Sequence, residues 1–470
     1  MKSAAVLLAC LCLARPVLAQ GVDEALEGFD ATAPAMSGVE DALGGFDAPA
    51  PAAAPTPRAA PPSGPLSPWT VSGSLSFSAA YDYAQPAPAA GQPDRRGLSR
   101  ARPKAALKLK GDFPDAPLPA RVVAETWASH DTVYALRGRG DYPATERDSF
   151  ETDLNIGELY AGLQLNPSLE LTLGRQVVVW GTSENLRVVD VVNPLDRRET
   201  GMVDIEDLRL PLAMARADWI GGPWSVTALA IPHIRFDRLA PARSSYDPMN
   251  GAAPPNDVHG DDLGNSEFAV RVKGAFSGWD ASVMAANLYD DAGHKETVGG
   301  TSRVRHSRVA MGGGAVAVAL GNWLAKGEAL HTRGLETQAR PGKDFARTDV
   351  LAGLEFTGIA DVTVSLEGVN RHLHGWDRAL VAEGFRRNSQ EYALRVSADF
   401  LHELLTVTAL TTRVSPLTSG GGFSRLSAEY DLADALTLSG GVTLYHDGTR
   451  TPFHALGDND RVFVELSKSF

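Results

Sequence analysis

VSGSLSFSAAY, residues 71–81, decides the fold. Val71, Leu75, Phe77 and Tyr81 share one parity, while Ser72, Ser74, Ser76 and Ser78 take the other. A period of two places successive side chains on opposite faces, which predicts a β-strand. One apolar and one small polar face over about ten residues suits a strand with lipid on one side and water on the other. SRLSAEYDL (residues 424–432) and RVFVELSKSF (residues 461–470) alternate in the same way. A soluble sandwich gives a similar local pattern, so the connections must decide.

Those connections alternate between short and long. Short ones fall at 111–119, 165–169, 221–224, 277–280, 320–323, 358–361, 401–404 and 432–435. Longer polar stretches lie near 84–97, 135–149, 181–211, 238–263, 291–302, 336–344, 375–388, 415–421 and 447–459. Eight short turns and nine long loops make seventeen connections, hence about 18 strands, with 16 as the alternative count. Even strand number, short turns on one side and long loops on the other predict an all-β, antiparallel transmembrane barrel. Both ends of the barrel segment, residues 68–470, then fall on the periplasmic side. Trp219, Trp224, Trp279 and Trp323 sit at or beside short turns, where an aromatic girdle would meet lipid headgroups. The run 309–325 is uncharged but holds Gly312, Gly313 and Gly314 and is too short for a helical span.

Composition agrees. The chain has 470 residues with 44 Lys+Arg against 57 Asp+Glu, and this net charge of −13 argues against nucleic acid as a partner. Its only cysteines, Cys10 and Cys12, lie in an N-terminal stretch with an early Lys2, an apolar centre and a Val-Leu-Ala end. Residues 1–19 therefore read as a secretory signal peptide. The alternative, a lipoprotein box ending at Cys10, has too short an apolar stretch ahead of it.

Residues 20–67 hold 8 of the 30 prolines and almost no β-branched residues, which predicts a disordered tail. Within it GVDEALEGFDATAP (residues 21–34) recurs as GVEDALGGFDAPAP (residues 38–51). Val22, Leu26 and Phe29, then Val39, Leu43 and Phe46, make one apolar stripe per copy if each folds as a short helix. Such a helix is marginal alone but could dock into the groove of a periplasmic partner protein. A duplicated spacer with no partner is the competing reading.

The third long connection, GTSENLRVVDVVNPLDRRETGMVDIEDLRLP (residues 181–211), differs from the others. It combines Glu184, Arg187, Asp190, Asp196, Arg197, Arg198, Glu199 and Asp204 with the pairs Val188-Val189 and Val191-Val192. An exposed loop has no need of four valines. The mixture suits a segment folded into the barrel, valines on the wall and charges toward water, setting a pore constriction with Arg175 near its base; a surface loop with scattered ion pairs is the alternative. Arg271, Lys273, Glu355, Arg395, Asp399, Glu429 and Glu465 occupy the polar face of strands and would line the lumen.

Searches for reaction chemistry yield little. His372 and His374 stand two apart on one strand face, without a carboxylate or cysteine pattern to complete a metal site. No GxSxG, HExxH or CxxCH motif occurs, so neither cofactor nor metal is expected and the expected function is not enzymatic. An outer-membrane enzyme would need a Ser/His/Asp or carboxylate constellation at the rim. The chain ends in Phe470 after Val462, Val464 and Leu466, an ending that resembles the C-terminal signal of outer-membrane barrels read by their assembly machinery.

Residues 169–199, with LRLPLAMARADW (residues 208–219), resemble a poorly characterised family of Gram-negative outer-membrane porin-like barrels. Its mark is a GRQxxxWG strand leading into a DxxNPxD loop, matched here by Gly174, Arg175, Gln176, Trp180, Gly181, Asp190, Asn193, Pro194 and Asp196. The resemblance implies a barrel in outer-membrane lipid, and an association with RND-type exporters of lipids or other hydrophobic molecules. From these residues alone the functional expectation is a passive or partner-gated channel; a component of a periplasmic efflux or lipid-trafficking system docked through the tail is the alternative.

Overall fold

A computed structural model describes residues 68–470 apart from 248–253, 255, 259 and 261. The signal peptide and the tail, with Val22, Leu26, Phe29, Val39, Leu43 and Phe46, lie outside the described residues.

Nine strands come first: β1 (Trp69–Asp82), β2 (Gly97–Phe113), β3 (Ala120–His130), β4 (Thr152–Asn166), β5 (Leu169–Gln176), β6 (Leu212–Gly221), β7 (Trp224–Ile231), β8 (Glu267–Phe276) and β9 (Trp279–Tyr289). A small hairpin, β10 (His294–Val298) and β11 (Thr301–Arg305), stands apart. Nine more follow: β12 (Arg308–Leu320), β13 (Trp323–Leu335), β14 (Phe345–Ile359), β15 (Val362–His374), β16 (Asn388–Phe400), β17 (Leu405–Val414), β18 (Gly422–Ala433), β19 (Leu436–His446) and β20 (Arg461–Ser469). All but the hairpin form one 18-stranded antiparallel sheet, and β1 pairs β20 as well as β2, so the sheet closes. Closure leaves no sheet edge, the condition for strands in lipid, where an unpaired backbone group costs several kcal/mol. No described helix is long and apolar enough to cross a membrane.

The pleat decides the two faces. On β1, Val71, Leu75, Phe77 and Tyr81 are exposed on the outer wall, while Ser78, Ala80 and Asp82 are buried inside. At the short-turn end the outer wall carries rings in contact: Trp69 on Phe113, Trp224 on Phe276, Phe276 on Trp279, and Trp323 on Phe356, with centroids 4.4–5.5 Å apart. That is an aromatic girdle. Phe470 lies at the same end, its backbone paired with Gly73.

Two long connections contain more structure than their composition predicts. The one after β3 forms α1 (Val133–Leu136) and α2 (Ala144–Phe150), and the one after β9 forms the β10–β11 hairpin. Around α1, Val133, Tyr134, Tyr142 and Phe150 bury one another, which outweighs the weak local pattern.

Candidate functional site

Register places Arg271, Lys273, Glu355, Arg395, Asp399, Glu429 and Glu465 on the inward face. The connection from β5 to β6 runs inward among them. Val188, Val189 and Val192 pack with Leu212, Met214, Ile231, Leu330, Leu351 and Val369, the inward side chains of β6, β7, β13, β14 and β15. Burying a valine is worth roughly 1.5–3 kcal/mol, enough to hold a loop that water would otherwise keep outside.

Two wall carboxylates then pin the segment. Glu328 of β13 accepts hydrogen bonds from the backbone N–H of Thr182 at 2.5 Å, Ser183 at 3.0 Å and Val189 at 3.0 Å, and from the Thr182 hydroxyl at 3.1 Å. Glu367 of β15 accepts from the N–H groups of Glu184, Asn185 and Leu186 and from the Ser183 hydroxyl, at 2.6–3.1 Å. Both carboxylates are buried, and their ligands are mostly backbone donors that an inserted loop must satisfy somewhere. Beside them Lys326 Nζ donates to Glu184 at 2.5 Å and to Glu355 at 3.0 Å.

Further along, the segment reaches a different wall. Arg198 pairs with Asp196 and with Asp153 of β4, each at 2.7 Å. Glu199 pairs with Arg100 and Arg102 of β2 at 2.5 and 3.2 Å. Burial alone would raise the Glu199 carboxyl, but Arg100 and Arg102 outweigh it and hold it below the usual range. Asp204 contacts Arg425 of β18, and the Tyr445 hydroxyl of β19 donates to the Thr200 carbonyl at 2.6 Å. In the 18-strand circuit β13 stands nine places from β2, and β15 nine from β4, which is half-way round. The segment is a strap from one wall to the opposite one.

The valines are where composition put them, but most of the charges do not face water. Arg187 bonds Asp190, and Arg209 bonds the same carboxylate at 2.9 Å; Glu184, Arg198, Glu199 and Asp204 bond wall residues. A segment with wall on both sides has little water to face, so its charges pair with those of the strands. Arg197 is exposed and pairs with Asp237 at 2.8 Å. Arg175 requires a correction. It pairs with Leu159 and Ala213 on the outward face, the face of exposed Leu173, so it does not line the lumen.

The motif residues beside it act on the backbone. Asn193, fully buried, accepts from the Val178 N–H at 2.8 Å and donates to the carbonyls of Gln176 and Leu210, tying the end of β5 to the start of β6. A Cβ on Gly181 would come within 3.0 Å of the Glu328 carboxylate and 3.2 Å of Asp190, so the glycine lets the strap approach its pin. Trp180 is buried under the Arg271 guanidinium, 5.6 Å from its ring. Glu328 and Glu367 escape a reading of the motif; each is an acid at an inward parity, next to inward Lys326 on β13 and Ser365 on β15.

An apolar outer wall, a closed 18-strand sheet and a polar lumen crossed by an inserted loop define a porin-like β-barrel. More particularly, residues 118–470 match the family described as a protein of unknown function, DUF1302, and the chain belongs to it. No curated protein matches the sequence. Among solved structures, OccK9 (OpdG) of Pseudomonas aeruginosa is 12% identical with a TM-score of 0.54, over 86% of this chain and 98% of that one. OccAB3 of Acinetobacter baumannii is 10% identical with a TM-score of 0.53, over 86% and 100%. OpdL of Pseudomonas aeruginosa is 13% identical with a TM-score of 0.50, over 86% and 99%. The likeness is one of fold.

Proposed function

We propose that the protein is an outer-membrane channel whose lumen is narrowed by residues 181–211. The observation that carries this reading is the strap itself, fixed to Glu328 and Glu367 on one wall and to Arg100, Arg102 and Asp153 on the other. It involves no covalent step. The wall supplies a polar path through lipid, and the strap sets its bore and charge. Arg100, Arg102, Lys104, Lys108 and Lys110 share the inward face of β2, a row of cations that would keep the path wet. The long loops face the cell exterior and the two ends of the barrel segment face the periplasm.

The test is single-channel conductance of the refolded protein in a planar bilayer, before and after deletion of residues 181–211. Steady current that rises on deletion supports an open channel narrowed by the strap. Silence that turns to current on deletion makes the strap a plug. No current from either form, with the barrel correctly folded, sinks the channel reading.

A second reading rests on the duplicated stripe of the tail, Val22, Leu26, Phe29 and Val39, Leu43, Phe46. Two copies on one linker suit bivalent docking to a periplasmic partner. Deleting residues 21–51 should then abolish capture of that partner without changing the conductance.

A further inference from the structure

The outer wall of β13–β16 differs at its two ends. Near the short turns it carries Trp323 and Phe356, and above them Val350, Leu354 and Leu366 are exposed. Near the long loops the outward side chains turn polar, first at Asn370 on β15 and Gln390 on β16, and then across all four strands in a row set by register: His331 on β13, Thr348 on β14, His372 on β15 and Asn388 on β16. His374 and Arg333 stand one outward position higher. From Trp323 to His331 is eight residues, about 27 Å along the strand and roughly 20 Å along the barrel axis at a tilt near 40°. That is close to the height of the lipid-facing band, about 25 Å. The row therefore lies at the upper headgroup level.

Its hydrogen bonds run one way. Arg333 Nε donates to His331 Nε2 at 3.2 Å, which leaves the proton of a neutral His331 on Nδ1. That Nδ1, 2.9 Å from Thr348 Oγ1, donates to it, and the hydroxyl donates in turn to His374 Nε2 at 2.8 Å. The chain ends on His374 with its Nδ1–H free, and the His372 ring lies 4.7 Å from it. His372 Nδ1 donates to Asn388 Oδ1 at 2.8 Å, so the donors left for a ligand are His374 Nδ1–H and the terminal nitrogens of Arg333, with no acid from these strands beside them. Every carboxylate of these four strands, Glu328, Asp349, Glu355, Glu367, Glu391 and Asp399, is on the inward parity. Arg333 makes no ion pair among the described residues, and no group of described residues is arranged to hold a metal ion.

We propose that His331, Arg333, His372 and His374 bind the phosphate of a lipid headgroup in the outer leaflet. A guanidinium and a cluster of imidazoles at headgroup height, with every acid of those strands turned away, form a phosphate site that a headgroup without phosphate could not satisfy. The contrast with the aromatic end of the same strands fits a membrane whose two leaflets present different headgroups. The proposal takes the outer-membrane location from the reading above but is independent of conduction, because binding is read without current.

The full chain, purified in detergent, is offered lipid A carrying both phosphates, the same lipid with its phosphates removed, and inorganic phosphate, with binding read by native mass spectrometry. The expected result is about tenfold tighter retention of the phosphorylated lipid, lost in R333Q/H372Q/H374Q and unaffected by excess inorganic phosphate. Heat-modifiable gel mobility checks that the triple variant folds; should it not, R333Q alone is scored for a severalfold loss. Equal retention of the two lipids, or a variant that binds like the native chain, overturns the proposal. Displacement by inorganic phosphate overturns the lipid assignment in favour of a free anion. A dimer that dissolves in the variant overturns it in favour of contact between two copies.

Discussion

Val189 of the strap donates its backbone N–H to Glu328 of the barrel wall across 3.0 Å, although the two are 139 residues apart in the chain. Glu328 thereby satisfies a buried donor that the inserted segment could not satisfy by itself, and the valine packs where the donor is tied. Apolar burial and charge-assisted hydrogen bonding thus fix the same point of the strap.

Glu328→Gln replaces a carboxylate that accepts four hydrogen bonds with an amide that offers one carbonyl oxygen. The expected loss is about 2–4 kcal/mol of local stability. Amides of residues 182, 183 and 189 should exchange about thirtyfold to nearly a thousandfold faster, while those of β13–β15 stay protected. Unchanged exchange at these three amides would mean that Glu328 is not a pin.

The Glu199 anchor has a defined pH window. Its carboxyl is held below the ordinary 4.5, so its contribution is present above that range and is lost only as pH falls through the lowered value. Conductance should therefore differ between the native chain and Glu199→Gln by a constant factor from pH 8 to pH 5. The difference should shrink only in stronger acid. A difference that vanishes already at pH 6 would assign the effect to another group.

Gly174 has φ +131°, and a Cβ there would lie 2.3 Å from the Leu159 carbonyl oxygen and 2.7 Å from the Tyr160 Cα. Gly174→Ala should cost at least about 1–3 kcal/mol, because backbone must move. The measurement is the yield of heat-modifiable, folded barrel on refolding, and a native yield would contradict the close approach.

Arg175→Gln tests the corrected placement. On the outward face the side chain cannot touch the permeating solution, so conductance and ion selectivity should remain at native values. A change in reversal potential under a salt gradient would return Arg175 to the lumen.

The strands are legible because lipid on one side and water on the other impose a period of two that no neighbour overrides, as in residues 71–81. All eight short turns lie at the sequence-derived positions for the same reason: each ends an alternating run. The insertion of residues 181–211 is legible in its valines. Arg175 is misread because a motif at the foot of an inserted loop says nothing about parity, and its face follows from pairing with Leu159 and Ala213.

Residues near one another in the chain specify a barrel of about 18 strands, with 16 as the alternative count, an apolar exterior and a third long loop whose valines suit insertion. What that loop does inside rests on contacts with residues far from it in the chain. Glu328 and Glu367 meet it from strands more than 130 residues away, and Arg100 and Arg102 from a strand on the opposite wall. Closing the sheet sets those distant charges on facing walls of one lumen, and burial among them obliges the charges of the strap to pair with the wall instead of with water.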